Sequence, residues 1–272
     1  MAATTGTSLA ESELMDLGLK DKVALVSGGT SGIGLAVSQR LSDEGCKLAL
    51  AGRQQAKLDR AVAQIDRARG FVADVCDPIQ VKALVDDVAA AFGRIDIVVS
   101  NAGTHLAGRL EEVETSALLQ HLETKVIGAW ELAKCVVPHM RRQGGGRFIV
   151  IIGQAGKVPQ ANGIASTISN AAQHALVKSL SDDLARHNIL VNAVCPSRIK
   201  TPLTDGLKLH NEVFLGRSLE QQESRWGAEV PLGRWGVAED VASAVVFLAS
   251  ERAGFIVGAN IDVDGGHQRS IF

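Results

Sequence analysis

The sequence predicts an α/β protein whose sheet is parallel and is covered by helices on both faces. Short apolar runs alternate with amphipathic stretches along most of the chain, which is the pattern of repeated βαβ units. The runs are apolar at nearly every position, as expected for strands buried on both faces. Hydrophobic residues make up 46% of the 272 residues and charged residues 21%, which indicates a globular chain with a sizeable core.

Seven strands are predicted, with helical patterning between most of them. The first strand, 22–27, leads through a glycine-rich turn into a helix from about Gly32 to Glu44. Pro78 suits the first turn of the helix that follows the third strand. The remaining strands are predicted at 47–51, 70–74, 95–100, 147–152, 189–194 and 260–263, and further helices up to about 66, over about 116–142 and over 170–186.

No linker or repeat divides the chain, so residues 19–272 are predicted to form one domain after a polar, flexible leader over residues 1–18. The segment of about 202–229 is polar and irregular, with Phe214 and Trp226 embedded in it. A long segment of this kind before the final helix is typical of a substrate lid. A purely structural excursion is the alternative.

Charge and cysteine usage exclude several classes of function. The net charge is −2 with acids and bases interspersed, which argues against binding to nucleic acid or to an anionic membrane. No apolar stretch is long enough to cross a bilayer, and the first residues do not resemble a signal peptide. The four cysteines form no CxxC pair, so no metal site is predicted. We expect a cytoplasmic protein that binds a small molecule.

The segment from Ser27 to Gly34, SGGTSGIG, lies between a predicted strand and a predicted helix. Glycines at such a turn allow the backbone to approach a pyrophosphate, which rests on the positive end of the following helix. The strand–turn–helix context makes this a stronger signal than the glycine pattern alone. The sequence therefore predicts a dinucleotide site.

The GxxxGxG spacing of this turn resembles that of the short-chain dehydrogenase/reductase family, and the resemblance extends from about 19 to 266. Further matches are Asp74-Val75, Asn101-Ala102-Gly103, and the segments 231–236, 246–250 and 263–266. The resemblance implies a Rossmann-type, doubly wound, seven-stranded parallel sheet with strand order 3-2-1-4-5-6-7. It also implies an oxidoreductase relative that forms homodimers or homotetramers.

The resemblance implies NADP(H) in preference to NAD(H). Members that use NAD carry an acid at the end of the second strand, where this chain has Gly52 followed by Arg53. A guanidinium matches a 2′-phosphate and cannot accept hydrogen bonds from ribose hydroxyls. A solvated loop charge at Arg53 is the alternative, and Ser31 stands where many NADP-using members have a second basic residue.

The implied cofactor contacts are spread over the carboxyl ends of several strands. Ser197 replaces a family glycine next to two of them, a position where glycine allows the backbone to approach the nicotinamide closely. The contacts are Ser27, Gly28, Thr30, Ser31, Gly32, Ile33, Gly34, Arg53, Asp74, Val75, Asn101, Ala102, Gly103, Ile199 and Thr201.

The chain contains no tyrosine, although the chemistry of the family uses a tyrosine phenol to exchange the proton while hydride moves. The segment 146–156 resembles the family's GRIVNISSxAG, with Gly153 at the catalytic serine. The helix that ends in KSL has Ser166 at the tyrosine position and Asn170 at the lysine position, and Lys125 stands at the family's asparagine. The four usual catalytic residues are therefore all predicted to be replaced.

The resemblance implies that the family has asparagine at position 125 and lysine at position 170, whereas this chain has Lys125 and Asn170. Our hypothesis is that the Lys125 amine reaches towards the ribose or substrate and acts as an acid or base. The alternative is that Lys125 extends from a helix or subunit interface into solvent.

Other polar side chains are weaker candidates. His105 is a candidate because histidine side chains in general titrate near neutral pH, and His174 lies one turn beyond Asn170 on the same predicted helix. No base is assignable beside Ser166, so the sequence does not favour a nucleophilic serine. Polar ligand contacts are also predicted for Gln154, Gln160 and Asn162.

Three functions remain open from the sequence. One is remodelled catalysis on a small carbonyl or hydroxyl compound, either redox through a substitute proton donor or a non-redox isomerisation, dehydration or cyclisation. Another is a catalytically inactive relative that acts as a cofactor sensor or as the non-catalytic subunit of an assembly with an active paralogue. The last is a cofactor-free protein that uses the cleft for a different ligand, against which the glycine turn argues.

Overall fold

A computed structural model describes residues 16–205 and 218–269. Its seven strands form one parallel sheet in the order β3-β2-β1-β4-β5-β6-β7, which confirms the predicted fold. The strands are β1 Val23–Ser27, β2 Lys47–Gly52, β3 Ala68–Val72, β4 Ile97–Ser100, β5 Gly146–Ile151, β6 Ile189–Pro196 and β7 Asn260–Val263.

Helices cover both faces of the sheet. Successive residues of β1 show this directly, since Val23 and Leu25 belong to one apolar cluster and Ala24 and Val26 to another. Helices α1, α2 and α8 line one cluster, and α3, α5 and α6 line the other. The helices are α1 Gly32–Asp43, α2 Gln55–Val62, α3 Pro78–Phe92, α4 Thr115–Leu122, α5 Gly128–Arg142, α6 Ile164–Leu184, α7 Leu219–Ala228 and α8 Ala238–Ala249.

The helix predicted over 116–142 is divided by a π-helical turn, Glu123–Ile127, which links α4 to α5. A side chain of α6 stabilises this turn, because the Gln173 amide Nε2 donates to the Lys125 carbonyl at 2.9 Å. Turns of this type commonly accompany functional sites. Here the turn carries Lys125, one of the predicted catalytic residues.

Helix α6 begins at Ile164, six residues before the predicted start at 170. Its early core-facing positions include Ser166, Ser169 and Asn170, which are all buried. Polar residues at these positions hide the apolar periodicity that would have revealed the first turns of the helix. Strand β3 ends at Val72, so Asp74, which was predicted to be the last residue of this strand, lies in the loop after it.

Most of the predicted leader, residues 1–15, lies outside the described residues. Residues 16–18 contact the body of the fold, since the Leu17 carbonyl accepts from the Glu251 amide at 3.0 Å. Arg252 Nε also donates to the Asp16 carbonyl at 2.9 Å.

The predicted lid is only partly described, because residues 206–217, including Phe214, lie outside the described ranges. Its second half is helical where the sequence predicted irregular structure. Ser218 and Gln221 form a capping box at the start of α7. The Trp226 ring lies 5.5 Å from that of Trp235 and 4.9 Å from the Arg198 guanidinium. Nowhere in the described ranges does a helix have the length and apolarity needed to cross a membrane.

Candidate active site

The turn after β1 adopts a shape that favours glycine at two positions. Gly28 and Gly32 have φ values of +64° and +52°, in the left-handed region where most side chains are strained. The Asn101 amide Nδ2 donates to the Ser27 and Gly28 carbonyls, each at 3.2 Å. These hydrogen bonds join the turn to the end of β4.

Gly34, in the first turn of α1, approaches the glycine turn very closely. A Cβ on Gly34 would lie 2.2 Å from the Gly28 carbonyl oxygen and 2.5 Å from Asn101 Nδ2. The Ser27 hydroxyl oxygen supports the same junction by accepting the backbone N–H groups of Asn101 and Ala102, at 3.1 and 3.2 Å. Ser27 and Gly34 therefore determine how closely α1 and the end of β4 pack against the glycine turn.

A cavity of about 450 Å³ lies in front of the turn, at the carboxyl ends of β1, β2 and β4. The order of the sheet reverses at β1, which is where ligands bind in open α/β sheets. Predicted contacts that line this cavity are Gly28, Thr30, Ser31, Gly32, Ile33, Arg53, Asp74, Val75, Asn101, Ala102, Gly103 and Thr201. Ile199 is instead buried, and its carbonyl accepts from Thr204 Oγ1 at 3.0 Å.

The end of the cavity beyond β2 carries two cations. The Arg53 guanidinium is 3.9 Å from the Asp74 carboxylate, and its side chain is 69% exposed. Lys57, in the first turn of α2, also lines the cavity and is exposed. Lys57 was not among the predicted contacts, although a lysine in the first turn of the helix after β2 was a usable signal for a second cation near Arg53.

Lys125 and Asn170 meet in the interior beside this cavity. The Lys125 amine donates to Asn170 Oδ1, and the two residues are only 9% and 2% exposed. Burial lowers the pKa of Lys125 from an ordinary value of 10.5 to about 8. A Cβ on Gly103 would lie 3.7 Å from Lys125 Cε, so the lysine runs directly beneath a cavity-lining residue.

Gly153 completes this group from the end of β5. A Cβ at Gly153 would lie 2.9 Å from Asn170 Nδ2, too close for the amide to keep its position. The absence of a side chain at 153 therefore leaves room for the Lys125–Asn170 contact. The structure thus brings three of the four predicted replacement positions into one cluster, and Ser166 lies one helical turn before Asn170.

His121 was missed by the sequence analysis and lies beside Ser166. Its Nε2 is 3.5 Å from Ser166 Oγ, and its Nδ1 is 3.1 Å from Thr104 Oγ1. Burial and the Lys125 charge lower the pKa of His121 to about 4, so the ring is neutral at neutral pH. No pattern in the sequence indicated this histidine beside Ser166. The Ser166 hydroxyl nevertheless donates elsewhere, to the Leu106 carbonyl at 3.1 Å.

The remaining polar candidates divide between the rim and the interior. Gln154 is buried, and its Oε1 lies 2.9 Å from His267 Nδ1. The same His267 nitrogen lies 3.0 Å from Ser197 Oγ. His174 is directed towards β7, since its Nδ1 is 2.8 Å from Asn260 Oδ1. The exposed residues are His105, Gln160 and Asn162. In the described ranges no three side chains of the metal-binding types cluster together.

The free energy of unfolding should rise with pH because of Lys125. Below about pH 8 the folded and unfolded states both bind the proton, whereas between about pH 8 and 10.5 only the unfolded state does. The cost of the buried charge is therefore relieved as pH rises. We expect the stability difference between wild type and Lys125→Met to change by up to about 3 kcal/mol from about pH 7 to pH 10. Urea titrations across this range test it, and a pH-independent difference would contradict it.

The doubly wound sheet, with a glycine-lined cavity at the point where its order reverses, defines a Rossmann-type α/β protein. The chain belongs to the short-chain dehydrogenase/reductase family. A family profile described as Enoyl-(Acyl carrier protein) reductase matches residues 28–268. The cis-4-hydroxycyclohexanecarboxylate dehydrogenase of Sinomonas cyclohexanicum is 34% identical over 251 residues, which are 91% of this chain and 96% of that protein.

Solved structures resemble the whole described fold. The L-sorbose reductase of Gluconobacter frateurii, complexed with NADPH and L-sorbose, has a TM-score of 0.88 and 32% identity, covering 94% of this chain and 100% of the reductase. The actinorhodin polyketide ketoreductase with NADPH has a TM-score of 0.89 and 30% identity, covering 92% of this chain and 98% of the ketoreductase. The matched relatives are oxidoreductases.

Proposed function

We propose that the protein binds NADP(H) and transfers hydride between this cofactor and a small carbonyl or hydroxyl compound, using a proton donor other than tyrosine. The observation that carries the cofactor assignment is the pair of exposed cations, Arg53 and Lys57, at one end of the glycine-lined cavity. Phosphate is the ligand that such a pair favours. NADPH in the two related reductases supports the assignment.

The cavity fits a dinucleotide. Gly28 and Gly32 have positive φ and line it, so backbone rather than side chain faces the space where a pyrophosphate is expected. Asp74 and Val75 line the same cavity beyond β3, where the family resemblance implies the adenine. When bound, the nicotinamide supplies or accepts the hydride.

Lys125 is the group that we propose holds or moves the proton. The chain has no tyrosine to do so, and the buried Lys125 amine has a pKa of about 8, within the range useful for acid–base catalysis near neutrality. Asn170 orients the amine by accepting one of its hydrogens. Gly153 leaves the space that this contact needs, so we propose that the three replacements function as one set.

Lys125→Ala tests this assignment. We expect turnover of NADPH with a carbonyl panel to fall by about 100-fold or more, a typical loss for a group that transfers a proton. NADPH affinity should change little, because Lys125 is beneath the cavity lining. Lys134→Ala is the matched control, since Lys134 is exposed on α5 and pairs with Glu131. Unchanged affinity together with unchanged turnover in Lys125→Ala would overturn the role.

A catalytically inactive, cofactor-binding protein is the second candidate, and the burial of the catalytic cluster favours it. Lys125, Ser166 and Asn170 are each 9% exposed or less, so a substrate does not reach them in this conformation. Tight NADPH binding without turnover would support this candidate, and copurification with an active relative would indicate a non-catalytic subunit. Product formation without cofactor consumption would instead indicate a non-redox reaction. Assembly into homodimers or homotetramers remains a prediction for solution scattering to test.

A further inference from the structure

Ser166 makes contacts that the proposed proton chemistry does not use. Its hydroxyl donates to the Leu106 carbonyl at 3.1 Å and accepts from the Leu106 N–H at 3.3 Å. A serine hydroxyl can do both at once, since it is a donor and an acceptor. Ser166 is 3% exposed, so both hydrogen bonds are shielded from water.

Leu106 belongs to the cover segment, residues 104–108, which follows β4 in the chain and lies in space against the start of α6. At its first residue, Thr104 Oγ1 contacts His121 Nδ1 at 3.1 Å. At its last, the Gly108 N–H donates to the Asn162 carbonyl at 2.8 Å, and Gly108 forms a parallel bridge with Gly163. The Ser166–Leu106 contacts lie between these two attachments.

The cover segment is attached to side chains that lie one helical turn from Lys125 and from Asn170. His121 and Ser166 contact the segment directly, and both are buried. Lys125 runs beneath Gly103, the residue just before the segment, and Asn170 accepts from the Lys125 amine. Thr104, the first residue of the segment, lines the cavity and also contacts His121, which belongs to a group of side chains that are almost inaccessible to solvent.

We infer that Ser166 acts as a latch, which means that its two hydrogen bonds to Leu106 hold the cover segment closed over the Lys125–Asn170 pair. A substrate gains access to Lys125 only when these hydrogen bonds open. Ser166 is thus a positioning residue that controls access. Its significance for catalysis rests on the proposed function, whereas the latch itself requires no cofactor.

Amide hydrogen exchange of Ser166→Ala tests the latch. The variant removes both hydrogen bonds to Leu106, so we expect the Leu106 amide to exchange about tenfold faster or more, as for the loss of a buried hydrogen bond. Ser169→Ala is the matched control. Ser169 lies on the same helix and is fully buried, and its hydroxyl donates to the Ser166 carbonyl at 3.1 Å rather than to the cover segment.

Chemical labelling provides a second readout, which reports access to Lys125 itself, and Ser169→Ala separates this effect from a general loosening of the helix. Acetic anhydride reacts with neutral amines, and we expect Lys125 in Ser166→Ala to be acetylated about tenfold faster than in wild type, in proportion to the more frequent opening. Lys82, whose side chain is 71% exposed, is the internal reference. In Ser169→Ala the ratio of Lys125 to Lys82 labelling should match wild type.

Equal Leu106 exchange and equal Lys125 labelling in Ser166→Ala and Ser169→Ala would overturn the inference. If Ser166→Ala does not fold, Ser166→Cys replaces it, because a thiol fills the space of the hydroxyl, with a slightly larger atom, and forms only weak hydrogen bonds. The same direction of change is then expected. Both measurements are made without NADPH, so failure of NADPH binding would overturn the proposed function and leave the latch result intact.

Discussion

The Arg53→Ala/Lys57→Ala double variant is expected to bind NADPH about 100-fold more weakly than wild type, with little change in NADH affinity. Each cation offers a charge-assisted contact to a 2′-phosphate, and at an exposed rim we assign about tenfold in affinity to each contact. NADH lacks this phosphate, so its affinity should not depend on the pair. Calorimetric titration of both cofactors measures the two effects.

Arg60→Ala is the matched control for this experiment. Arg60 lies on α2 with Lys57, is exposed, and its guanidinium Nε donates to the Ala56 carbonyl at 3.1 Å, away from the cavity lining. Its removal should leave the affinities for both cofactors unchanged. A double variant that loses NADH and NADPH affinity equally would mean that the pair supports the cavity rather than recognising a phosphate.

Gly34→Ala is expected to destabilise the fold by about 2–3 kcal/mol, within the range seen when a closely packed site is overfilled. The added Cβ would lie 2.2 Å from the Gly28 carbonyl oxygen, so the glycine turn or α1 must move. Because Gly28 lines the cavity, we also expect NADPH affinity to fall more than tenfold, since small displacements of positioned groups have large effects.

Gly227→Ala separates this effect from a general response to replacing glycine. Gly227 lies within α7, and a Cβ there would lie 3.5 Å from Trp235 Cδ1, an ordinary contact distance. Alanine in a helix should stabilise the fold by about 0.5–1 kcal/mol without changing NADPH affinity. Equal unfolding transitions and affinities for wild type and Gly34→Ala would show that the turn does not require glycine at 34.

The sheet was predictable because each strand carries its own local signal. The nearly continuous apolar runs at 23–27 and 47–52 are visible without knowledge of their neighbours. The glycine turn is equally local, since its residues lie within one strand–turn–helix segment. The strands and the glycine turn together predict where the cavity lies, and the family resemblance predicts most of the residues that line it.

The interior of the site was less predictable because it depends on contacts between distant segments. His121 and Ser166 are 45 residues apart, and Leu106 and Ser166 are 60 apart. A π-helical turn also interrupts, at Lys125, the regular helix that the sequence predicted. The family resemblance therefore singled out Lys125 and Asn170 as candidates, but the partners that bury them became apparent only in three dimensions.

The central claim is that this chain reduces a carbonyl without a tyrosine. The most direct test is to measure transfer of deuterium from NADPH that is labelled at both hydrogens of nicotinamide C4. Wild type, Lys125→Ala and Ser166→Ala are incubated with a panel of ketones and sugars, and products are analysed by mass spectrometry. We predict deuterium in a product with wild type, and its loss with Lys125→Ala. Tight NADPH binding with no deuterium transferred by wild type or by Ser166→Ala would contradict the claim.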